Sequence, residues 1–103
     1  MRYMLVWHER SMGSAADYEA AQDRTRALLS PWSLPQEIIT HAVVARLDGY
    51  GGYALVETED AHALHVVALT FPMFQFEIVP VMDFDESMKA KHDAIEWRET
   101  HST

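Results

Sequence analysis

The sequence predicts a domain of the α+β class, ordered strand, helix, strand, strand, helix, strand. Three observations predict it. Four segments alternate in polarity with period two, and two segments between them carry apolar residues at helical spacing. Asp48-Gly49-Tyr50-Gly51-Gly52 is a turn that folds the second strand back as the third. Residues 1–103 are expected to form one domain, with 84–98 a C-terminal amphipathic extension.

Residues 2–8 alternate, with Tyr3, Leu5 and Trp7 on one face and Met4, Val6 and His8 on the other. Both sets are largely apolar, so this strand is expected at the centre of a sheet. Ser14 followed by Asp17 resembles a capping box, with Asp in place of Glu. The helix it opens runs from Ala15 to about Ser30, with Tyr18, Ala21, Thr25 and Leu28, beside Leu29, as its apolar stripe. Pro31 and Pro35 stop it and leave Trp32 in a loop. The second strand spans Ile38–Leu47. Strict alternation puts Ile39, His41, Val43 and Ala45 on one face. Tyr53–Thr58 is the returning strand. Glu59-Asp60 opens a second helix, which buries Leu64, Val67, Ala68 and Phe71 and ends at Pro72. The fourth strand, Gln75–Met82, contains Pro80, which suits an edge or an irregularity. Beyond it, Met88, His92 and Ile95 suggest a short helix lying on the domain or on a partner.

Right-handed crossovers place two helices on one face of a four-stranded antiparallel sheet, a ferredoxin-like sandwich. The other face is also apolar, and a chain of 103 residues has no spare element to cover it. A second copy packed sheet to sheet would do so, giving a homodimeric α+β barrel. The formal net charge of −8 repels phosphate backbones and argues against nucleic acid as a partner. With no cysteine there are no disulfides, thiolate metal sites or thiol nucleophiles. No apolar run approaches the ~20 residues needed to span a bilayer, so no membrane partner is expected. The N-terminus lacks the features of a signal peptide, and a cytoplasmic location is expected.

Three segments carry a family resemblance: Arg2-Tyr3-Met4-Leu5-Val6-Trp7, the hairpin from Asp48 to Glu57, and Phe74-Gln75-Phe76-Glu77-Ile78-Val79-Pro80-Val81-Met82-Asp83. They resemble a family of short bacterial domains of unknown function, itself similar to the dimeric α+β barrel superfamily. The resemblance covers roughly residues 2–86 and rests on strands and a turn. It implies a ligand cleft between sheet and helices. The superfamily includes cofactor-independent monooxygenases, haem-degrading enzymes, isomerases, cyclases and plain binders. No catalytic residue carries over from it.

Histidine is the natural place to look for chemistry, since there are six. His8 ends the first strand and is positioned to act as a base beside a cleft, or to pair with Glu9. His41, on an apolar strand face, needs a hydrogen bond or a cavity. His62 and His65 are neighbours on the second helix and can hold a metal given a third ligand such as Glu59 or His92. Solvated histidines are the commoner reading of that spacing. His65 borders the buried stripe more closely. The resemblance adds haem iron as a partner for such a histidine. Tyr18 and Tyr53 are candidate hydrogen-bond donors to an enolate or phenolate, and also fit as core tyrosines. Trp7, Trp32, Phe71 and Phe74 are candidate walls of a pocket for a flat organic molecule.

These residues and the resemblance suggest a small enzyme acting on an aromatic or polyketide-like molecule. It would oxygenate, isomerise or cyclise its substrate without a cofactor, with His41, His8 or His65 as base and Tyr53 or Tyr18 as donor. The alternative is a non-catalytic homodimer that binds a small ligand, haem or a divalent metal.

Overall fold

A computed structural model describes residues 1–10, 13–29 and 33–102, with the backbone alone at residue 29. Its elements are β1 (Arg2–Glu9), α1 (Ala15–Leu29), β2 (Ile39–Ala45), β3 (Gly51–Glu57), α2 (Ala61–Thr70), β4 (Phe74–Val81) and α3 (Phe84–His101). The four strands form one antiparallel sheet in the order β2-β3-β1-β4. This is the expected ferredoxin-like sandwich, followed by a third helix.

β1 lies inside the sheet because its residues are apolar on both sides. In register, Leu5 faces Ala54 on one neighbour and Ile78 on the other. β4 is an edge strand, which is where Pro80 is tolerated. The β2–β3 hairpin closes through a turn in which Gly49 N–H donates to the Arg46 carbonyl at 3.0 Å. Gly49 adopts φ +82°, a conformation that costs glycine little. The Asp48 carboxylate accepts from Tyr50 N–H at 3.0 Å and pairs with Arg46, which fixes the turn's shape.

α2 begins at Asp60, whose Oδ1 accepts from Ala63 N–H at 3.2 Å. Its inner face, Ala63, Leu64 and Val67, packs on Leu5, Ala54 and Val56 to make the core. Phe71, just past its end, is buried too. α1 is capped by Ser14, whose Oγ accepts from Asp17 N–H at 3.2 Å. Its described stripe is only half-buried at Tyr18, Ala21 and Thr25, and Leu28 is exposed. Pro31 and Trp32 lie outside the described residues, as does the side chain of Leu29.

Two sequence expectations are corrected. β2 does not alternate strictly: Thr40 faces Val56, Ala42 faces Leu55, and His41 is the extra residue of a bulge. Thr40 and Val43 therefore share the core-facing side with Val56 and Ala54, and His41 does not lie with Val43. The C-terminal extension is not a short helix resting on the domain. α3 is 18 residues long, the longest helix described, and none of its residues is buried. It draws the molecule out to 64 Å, with a radius of gyration of 18.6 Å. A compact chain of this length would measure about 13 Å.

The sheet face opposite α2 carries Met4, Val6 and Leu55, all half-buried. Val44, Tyr53 and Val79 on the same face are 57%, 40% and 42% exposed. No described element covers this face.

Candidate functional site

The core-facing side of the sheet does not close fully against α2. A cavity of about 280 Å³ remains between them. Its floor is Leu5, Ala54 and Val56 from the central strands, and Val67 and Phe71 close it from the helix side. Trp7, Phe74 and Phe76 form one wall, while Leu34, Thr40 and Val43 form the rim near β2. Val43 is 60% exposed, so the cavity opens along the β2 edge.

Four of these side chains form a chain of ring contacts. Trp7 and Phe76 have centroids 6.4 Å apart, Phe76 and Phe74 6.3 Å, and Phe74 and Phe71 6.2 Å. The Phe74–Phe76 pair is edge to face at 89°. Register explains the order. Trp7 stands opposite Phe76 on β4, Phe74 follows two residues earlier on the same face, and Phe71 closes the turn out of α2. Edge and face geometries of this kind are where aromatic rings attract one another, and they would receive a further ring in the same way. Among the described lining residues, the polar groups are the Thr40 hydroxyl and the Trp7 indole N–H.

Of the residues singled out by sequence, Trp7, Phe71 and Phe74 line this cavity. Trp32 lies outside the described residues. The proposed bases and donors lie elsewhere. His8 follows Trp7 on β1 and so projects to the opposite face, opposite Gln75 and Gly51. Tyr53 stands on that face too, between Val6 and Val44. Tyr18 is on α1, with its ring edge toward Tyr50 at 6.4 Å. His62 and His65 are exposed on α2. Among the described residues, no group of three His, Cys, Asp or Glu side chains could hold a metal ion.

His41 belongs to a polar cluster at the end of the uncovered sheet face. Its Nε2 is 2.8 Å from Glu57 Oε1, Glu57 also meets Arg2, and Arg2 in turn pairs with Asp83 at the root of α3. The bulge aims His41 at Glu57, and that imidazole, then the Arg2 guanidinium, holds the Glu57 carboxyl below the ordinary glutamate value of 4.5. A depressed carboxylate stabilises the fold above its unfolded value and loses that contribution as pH falls through the folded one. The contribution of the Glu57 carboxylate to stability should therefore weaken in acid. His41→Ala should shrink the acid-side loss, because Glu57 is then held less far below its unfolded value, read from urea midpoints between about pH 3 and 6. An unchanged acid limb would show that the pair carries no such coupling.

Sequence reasoning missed Thr40, Val43 and Leu34 as rim residues. Register with β3 and the bulge decide their placement, and neither is visible in a single strand's pattern. A family model described as a domain of unknown function (DUF3303) matches residues 1–95, and the chain belongs to that family. No curated protein matches the chain.

Proposed function

We propose that this domain binds a small, uncharged aromatic molecule in the cavity between its sheet and α2. The observation that carries this is the lining: aliphatic side chains beneath a ladder of four aromatic rings. A charged ligand would lose its hydration there without finding a counter-charge. A flat one gains apolar burial and ring–ring contact. The volume, about 280 Å³, lies just under the ~300–1,000 Å³ of drug-sized ligand sites, which suits one or two fused rings. Thr40 at the rim can hydrogen-bond a hydroxyl or carbonyl on such a molecule and so fix its orientation.

Binding is favoured over catalysis because the sequence-expected bases stand away from this lining. Proton transfer needs a base within about 3 Å of the proton it takes. His8, His41, His65, Tyr53 and Tyr18 are all absent from the described lining.

The test uses 2-naphthol as probe, followed by calorimetry. Saturable binding at one site per chain is expected, with 2-naphthoate bound more weakly because its carboxylate is charged. Val43→Trp should fill the mouth and weaken 2-naphthol binding by at least about ten-fold, or ~1.4 kcal/mol. Val43→Thr keeps the volume and should bind nearly as the parent does. Both substitutions sit on an exposed edge strand that tolerates Trp and Thr. Absence of saturable binding, or equal binding by Val43→Trp, would remove this reading.

A further inference from the structure

Two apolar surfaces of this chain are left without a partner, and they match each other. One is the sheet face of Met4, Val6, Val44, Tyr53, Leu55 and Val79. The other is α3. At 100° per residue, Phe84, Met88 and Ile95 fall on one line along the helix, with Lys91 and Arg98 flanking it. Phe84 and Met88 are 78% and 48% exposed. The described ion-pair and ring contacts of α3 beyond its first turn are made within the helix, His92 with Glu96 and Trp97 with His101.

We propose that α3 of each copy lies across the open sheet face of a second copy, so that two chains exchange their C-terminal helices. Three matches commit the face to that occupant. The first is length: 18 residues of helix span about 27 Å, and strands of seven or eight residues span about 25 Å. The second is charge. Glu77, opposite Val6, is the acid midway along the edge strand β4 of the open face. Among the described residues Glu77 has no ion-pair partner, and neither have Lys91 and Arg98 beside the apolar line of α3. Laid on the face, the helix would bring a lysine to that glutamate. The third is area. Two exchanged helices, each with a footprint of ~10 Å by ~27 Å, bury roughly 1,100 Å² over both surfaces before side-chain relief is counted. That clears the roughly 1,000 Å² a specific interface needs, at the small end of the range. The Arg2–Asp83 pair holds the root of α3 at the sheet's end. This inference is independent of the ligand cavity, which lies on the other side of the sheet.

The absence of native cysteine makes the test direct. Glu77→Cys and Lys91→Cys are introduced together in the full chain, which is then oxidised and run on a non-reducing gel. A covalent dimer is expected from the double variant, and much less from either single one. A monomer closed by an internal disulfide would mean that α3 folds onto its own sheet, and would overturn the proposal. Sedimentation equilibrium adds a second reading. The parent should be a dimer at micromolar concentration, and Met88→Asp with Ile95→Asp should raise the dissociation constant at least about a hundred-fold. Met88 is exposed and Ile95 only half-buried in the protomer, so the variant should keep its fold. A parent that sediments as a monomer, or a variant that dimerises as tightly as the parent, would also overturn it. The latter would point to sheet-to-sheet pairing without α3.

Discussion

Gly51→Ala is expected to cost the domain about 3 kcal/mol or more, enough to leave a large unfolded fraction if the parent is of ordinary stability. Gly51 opens β3 directly opposite His8 of β1. A Cβ at Gly51 would stand 1.9 Å from the Trp7 carbonyl oxygen and 2.8 Å from His8 Cα. Both are backbone atoms, so no rotamer change makes room. The two strands must part where the hairpin joins β1. That joint also carries the Tyr50 carbonyl, which accepts from Glu9 N–H of β1 at 2.8 Å. Separation therefore loses hydrogen bonds as well as packing. Gly49→Ala is the control. A Cβ there meets nothing within 4 Å, and only the positive φ is penalised, by about 1–2 kcal/mol. Urea midpoints should rank the parent first, Gly49→Ala second and Gly51→Ala last. Equal midpoints for the two variants would show that the close approach to β1 is not what places glycine at 51.

The contrast between these glycines shows what the sequence could reveal. A Gly-rich run between two alternating segments reads as a hairpin because turn chemistry is local. The edge position of Pro80 follows from its missing N–H, which is also local. The parity of β2 is not local. A period-two count assumes no inserted residue, and one bulge at His41 brings Thr40 and Val43 together on the cavity side and turns the histidine to Glu57. The length of α3 was hidden differently. Its apolar line is sparse, and the helix rests instead on good formers such as Lys89, Ala90, Lys91 and Ala94. Asp85 and Glu86 in its first turn and Arg98 and His101 in its last add favourable dipole interactions. A search for buried stripes undercounts a helix that its own protomer does not bury. The aromatic residues of the site were visible as types, yet their ladder depends on register between β1 and β4. The cavity depends on how far α2 stands from the sheet, which no residue pattern encodes.

Phe71→Ala should separate the two roles of the ladder. Phe71 is 4% exposed, touches Phe74 and lines the cavity. Removing a buried phenyl typically costs ~3–5 kcal/mol, part of it from the space left behind. In a domain of this size that lowers Tm by more than about 10 °C. The enlarged space would be apolar and open to an aromatic molecule, as cavities lined by Leu, Val and Phe stay dry and take such guests. A ligand that binds only the folded state stabilises by mass action, about 2.7 kcal/mol at a hundred times its dissociation constant. Saturating 2-naphthol should therefore restore a larger share of Tm in Phe71→Ala than it adds to the parent, since the guest replaces the missing ring beside Phe74. Phe71→Leu keeps most of the volume and should show a smaller loss and a smaller recovery. Thermal unfolding with and without 2-naphthol measures both effects. Destabilisation without recovery would make Phe71 a core residue alone, and the ladder would then be packing rather than the wall of a binding site.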